Sequence, residues 1–132
     1  MAGAKMTRVQ RVAIRYIRQV QTQLPGFELV IGQADPNLFP APRSMAFCED
    51  ATPLRVGYAP KLEHQPLGRI EGVMAHEIGG HAALFALGHK EHKERDADAM
   101  AEKLLGIRIS YDAGLVQTTE NGIRPRPAHL GL

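Results

Sequence analysis

The chain has 132 residues, enough for one domain with a real hydrophobic core and too few for two. Its hydrophobic share of 44% and charged share of 23% fit a folded globular protein, and a net charge of +2 is too mild for a generalised grip on nucleic acid. The single cysteine, Cys48, excludes an intrachain disulfide and with it a cross-linked secreted scaffold, so a reducing, cytoplasmic setting is expected.

Arginine recurs every three or four residues through MAGAKMTRVQRVAIRYIRQV, so that stretch holds no signal-peptide core. No later run approaches the roughly 20 apolar residues of a membrane span. Residues 7–24 place Val9, Val12, Ala13, Tyr16, Ile17, Val20 and Leu24 at helical spacing, which predicts an amphipathic helix capped by Thr7. Its other face carries Arg8, Arg11, Arg15 and Arg18 and reads as a solvated surface, with a nucleic-acid or membrane contact as the competing reading.

Pro25-Gly26 ends that helix, and FELVIGQ reads as a short strand. The loop ADPNLFPAPRS follows; its three prolines forbid regular structure, and it is placed to border a site. SMAFCE and LRVGYAP are two further strand candidates joined by a short turn, for a sheet of about three strands. From Pro66 or Leu67, GRIEGVMAHEIGGHAALFAL predicts the central helix, stopped at Gly88. A second, antiparallel helix is expected from about Glu91 to Leu105, closed by Gly106, and IRISY is a candidate last strand or extended segment. The fold class is therefore α+β: a small, mostly antiparallel sheet packed on an N-terminal helix and an antiparallel helix pair, in one domain over residues 1–111. Residues 112–132 read as a mobile tail.

The chemistry concentrates in the apolar central helix, which carries His76, Glu77 and His81. Two imidazoles and a carboxylate buried there need partners, and a shared divalent cation, zinc above all, satisfies them most simply. In the zinc-hydrolase motif HExxH the histidines share a helix face and the glutamate is the general base. Here the spacing is HExxxH, so an ideal α-helix would set the two rings roughly 140° apart. A π-bulge at Gly79-Gly80 would bring them back to one face; a plain helix would leave His76 pointing away and the site weak or non-catalytic.

For the third ligand, HKEHKERDADAMAEKLLG offers His89, His92, Glu94, Asp96, Asp98 and Glu102. A metzincin histidine would fall where Leu87 stands, so that class is excluded. Counting out from the turn at Gly88 puts Glu94 near the level of His81 and Asp98 near that of His76. Glu94 is thus the preferred ligand over Asp98, His89 or His92, and Asp98 the carboxylate that accepts the other ring N–H of His76. His89 and His92 read as surface residues near the turn.

VMAHEIGGHAAL followed by ERDADAMAEKLLG resembles gluzincin metallopeptidases, in particular the HtpX-like pattern of HExxH with a downstream ExxAD, and less specifically the small ImmA-like peptidases. The resemblance covers about residues 70–106 and implies a zincin-like domain with His76, His81 and Glu94 as zinc ligands, Glu77 as general base and Asp98 in support. It implies hydrolysis of a peptide or protein substrate, with LRVGYAP as the edge strand that would pair with an extended chain. Tyr111 is the candidate oxyanion stabiliser, with Tyr58 and His89 as alternatives. Two other functions stay open: an inactive zincin-fold metal-binding or assembly module of phage or mobile-element origin, and a nucleic-acid adaptor using the arginine face.

Overall fold

The computed structural model describes residues 5–35, 37 and 45–109. Tyr111, the tail 112–132 and most of the proline-rich loop lie outside the described residues.

The first helix, α1 (Arg8–Gln23), begins where the sequence predicts: Thr7 Oγ1 accepts from the Gln10 N–H (3.1 Å) and Gln10 Oε1 accepts from the Thr7 N–H (2.9 Å). This reciprocal capping satisfies two donors that a helix end otherwise leaves bare. Val9, Val12, Ala13, Tyr16 and Val20 form its buried stripe. On its basic face, Arg8 donates to the Glu63 carbonyl (3.1 Å), Arg11 to the Met6 carbonyl (3.2 Å) and Arg15 to Glu71 Oε2 (2.9 Å).

Strands β1 (Leu29–Gln33), β2 (Ala46–Glu49) and β3 (Leu54–Tyr58) form one sheet in the order β1-β3-β2. Across the short turn, β2 pairs antiparallel with β3 as a hairpin, whereas β1 runs parallel to β3, so the sheet is mixed. Leu54, Val56 and Tyr58 alternate inward onto the core, as a half-buried strand requires. Gly57, between them, lets the Phe47 ring lie against β3; a Cβ there would sit 2.7 Å from Phe47 Cζ.

A 3-10 turn (Pro60–His64) then ties the sheet to α1, because Glu63 accepts from the Tyr58 hydroxyl (2.9 Å) and from the Val9 N–H (3.3 Å). The central helix runs through three segments: α2 (Leu67–Met74), a π-helical segment (Ala75–Ala82) and α3 (Ala83–Ala86). It stops at Gly88, φ 91°, where the Gly88 N–H reaches the Phe85 carbonyl and the His89 N–H the Leu84 carbonyl, the paired bonds of a Schellman turn.

The last helix, α4 (Glu94–Leu105), starts three residues later than Glu91, leaving residues 89–93 as a loop. Asp96 explains the later start: its carboxylate accepts from the Lys93 N–H (2.9 Å) and caps the helix there. Gly106, φ 66°, closes it as expected, and residues 107–109 form no strand. α1, the sheet, the central helix and α4 all contribute to one buried cluster. No helix among the described residues is long and apolar enough to cross a membrane.

Candidate metal centre

In the π register each hydrogen bond spans five residues rather than four, so residues five apart return to one face. His76 and His81 are five apart, and the π-helical segment covers both. The expected bulge is thus a full eight-residue segment. The two rings meet edge to face with centroids 4.6 Å apart.

Gly79 and Gly80 have a second role that spacing did not reveal. A Cβ on Gly80 would lie 2.5 Å from the Ala97 carbonyl oxygen, and one on Gly79 would lie 2.7 Å from Leu105 Cδ1. The glycine pair is therefore the window through which α4 lies directly on the π segment. That close approach carries Glu94 and Asp98 to the histidines.

Three donor atoms converge. His76 Nε2 lies 2.8 Å from Glu94 Oε1 and 3.1 Å from His81 Nε2, and His81 Nε2 lies 3.4 Å from the same Glu94 oxygen. Among the described residues, His76, His81 and Glu94 form a group that can hold a metal ion. Asp98 stands as expected, with Oδ1 2.7 Å from His76 Nδ1. A carboxylate there takes the Nδ1 proton of a neutral ring and leaves Nε2 with its lone pair toward the centre. The His76 and His81 side chains are only 13% and 15% exposed, but that of Glu94 is 78% exposed, so the centre opens to solvent on the Glu94 side.

The charges agree with this geometry. Burial works to lower the His76 pKa, but the Asp98 hydrogen bond and the charges of Glu77, Asp98 and Glu94 outweigh it and push it up to about 9. A proton on His76 and a metal cation therefore compete for one place. His81 is held below its ordinary value by burial and by the neighbouring His76 charge. Glu94 is lowered because the two imidazoles outweigh its partial burial. Glu77 is pushed up to about 7 by burial, against the opposing charge of His76. Its Oε1 is buried and has no hydrogen-bond partner.

Glu77 and His81 line a cleft of about 460 Å³, bounded by Phe47 and Cys48 of β2, by Phe85 and by residues 90–92. The strand beside the centre is thus β2. The expectation for LRVGYAP is overturned, because β3 is the middle strand and both its edges are already paired. Tyr58 is likewise no oxyanion partner: it is 1% exposed and bonded to Glu63 at the foot of α1. Tyr111 lies outside the described residues. Cys48 is no reactive thiol, since burial, then the charge of Glu77, push it up to about 12.

The residue that sequence reasoning underrated is His92, whose Nε2 lies 2.7 Å from His81 Nδ1. Its one signal was being a histidine near the turn, and no helical count applies to a loop. Comparisons with known protein families, curated proteins and solved structures return no match to this chain.

Proposed function

We propose that this protein is a zinc-dependent hydrolase of zincin type, acting on peptide bonds, with His76, His81 and Glu94 holding the metal and Glu77 as general base. The observation that carries the reading is the unpartnered, buried Oε1 of Glu77, which lines a cleft together with His81, one of the three residues of the donor centre. Native proteins rarely leave a buried carboxylate oxygen unsatisfied, and catalytic groups are a recognised exception.

The donor set suits zinc. Two imidazole nitrogens and a carboxylate are its usual three catalytic ligands, and bonds of about 2.0–2.1 Å in a tetrahedron put ligand atoms about 3.3 Å apart. The separations among His76 Nε2, His81 Nε2 and Glu94 Oε1, 2.8, 3.1 and 3.4 Å, bracket that edge. When bound, zinc supplies Lewis acidity that acidifies water and polarises a carbonyl. Glu77, with a pKa near about 7, takes a proton from water in the cleft and returns it to the departing amine. β2, the outer strand of the sheet on this side among the described residues, borders the cleft along which an extended peptide would lie. Asp98 keeps the His76 ring oriented throughout.

The test is elemental analysis of protein purified without a histidine tag, together with a peptide-library assay. About one zinc per chain is expected, lost in His81→Ala. Glu77→Gln should keep the zinc and lose roughly 10²–10⁴-fold in turnover. Zinc bound with no turnover on any library would instead support the metal-binding module, and no zinc at all would remove the hydrolase reading.

A further inference from the structure

The two ring nitrogens of His92 face different groups. Nδ1 lies 2.9 Å from the backbone carbonyl oxygen of His89, which can only accept, so this nitrogen carries a proton. In neutral His92 the other nitrogen, Nε2, is then a bare acceptor, and it lies 2.7 Å from His81 Nδ1. His81 must therefore donate from Nδ1, which leaves its Nε2 as a lone pair aimed at His76 and Glu94.

Both ends of this relay are fixed. The His89 carbonyl belongs to the Schellman turn at Gly88, since the His89 N–H is bonded to the Leu84 carbonyl (2.9 Å). The His92 ring is packed between His81, with centroids 4.9 Å apart, and Phe85, at 5.0 Å.

We propose that His92 is a positioning residue of the metal centre: through the relay from the His89 carbonyl it selects the Nδ1–H tautomer of His81 and so presents His81 Nε2 as a ligand. Its effect on metal affinity rests on the zinc reading above; its effect on the tautomer does not. The relay does for His81 what the Asp98 carboxylate does for His76, with a neutral ring and a backbone carbonyl in place of a charge. Orienting partners of this kind govern metal affinity by about 10–100-fold.

Two variants separate hydrogen bonding from packing. His92→Phe keeps an aromatic ring against Phe85 but has no acceptor, whereas His92→Gln can restore an acceptor oxygen. Histidine ¹⁵N spectra of the metal-free protein, recorded at alkaline pH, read the tautomer directly. Zinc competition against a chelator reads the affinity.

In the wild type and in His92→Gln, His81 is expected to carry its proton on Nδ1. In His92→Phe, signal should appear for the Nε2–H form, and zinc affinity should fall about 10–100-fold, with His92→Gln recovering most of the loss. An unchanged Nδ1–H tautomer in His92→Phe overturns the relay. A shifted tautomer with unchanged zinc affinity overturns the positioning role. If the wild type binds no zinc while the tautomer still shifts, the relay stands and the zinc reading falls.

Discussion

The two histidines of the centre are held in opposite ways. His76 is oriented by Asp98, a residue of a packed helix, and both side chains are nearly buried, at 13% and 14% exposed. His81 is oriented by His92, a residue of the loop between the central helix and α4. On the helix side, the geometry of the ligand and the stability of the fold depend on the same contacts. On the loop side they are separable, because the loop is pinned by a turn and by the tilted contacts of the His92 ring with His81 and Phe85. Damage to the first side should cost folding and metal together, and damage to the second should cost metal alone.

Gly80→Ala gives the largest effect expected. Its Cβ would press on the Ala97 backbone at 2.5 Å, and helix backbone cannot swing aside as a side chain can. α4 must retreat, taking Glu94 and Asp98 with it. Such overpacking costs about 1–3 kcal/mol, so thermal melting should fall by roughly 4–12 °C. Zinc binding should weaken by at least about 100-fold, as a ligand and an orienting carboxylate both move. His92→Phe should shift melting little by comparison, and a Gly80→Ala protein that keeps wild-type zinc affinity would break the distinction between the two sides.

The same distinction explains what could be read from the sequence. Glu94 and Asp98 were legible because both lie on a helix antiparallel to the histidine helix, where counting residues from the turn fixes their levels. The π register was legible from HExxxH itself, since only a register with residues five apart on one face brings His76 and His81 together. The contact role of Gly79 and Gly80 was hidden, because a glycine pair looks the same whether it eases a distortion or admits a neighbouring helix. The middle position of β3 was hidden too. It follows from β1 pairing in parallel with β3, a long-range choice that local patterning does not encode. His92 was hidden because the helix was expected from about Glu91, whereas His92 acts from the loop that precedes α4.

A smaller effect should appear as a pH dependence of the metal-free protein. His76, raised to about 9, adds stability that is fully present below its ordinary value near 6.5 and is lost as pH rises through about 9. Glu77, raised to about 7, is held as the neutral acid in the fold, so stability is also lost as pH rises from its ordinary value near 4.5 through about 7. Both losses have the same sign; His81, held below its ordinary value, acts in the opposite direction up to about 6.5, so melting without metal should decline mainly between about pH 6.5 and about pH 9. Asp98→Asn removes the charge that holds the His76 proton and should flatten the upper half of that decline. His92→Phe should leave it in place. A flat profile in the wild type would contradict the charge arrangement on the helix side.

The smallest effect concerns whether the loop side has a second anchor. Lys90, two residues before His92, pairs with Asp50 beyond the end of β2 at 2.8 Å, but the two side chains are 66% and 32% exposed. Exposed pairs of this kind contribute about 0.2–1 kcal/mol, a factor of about five at most. If the Schellman turn and the ring contacts hold His92 by themselves, Lys90→Ala should move zinc affinity by no more than that, and added salt should reproduce the change in the wild type. A loss as large as that of His92→Phe would mean that the position of His81 depends on the ordering of the whole loop across the cleft. In that case the helix and loop sides would differ in how much structure they recruit, and the hydrogen-bond relay would be only one part of the loop's contribution.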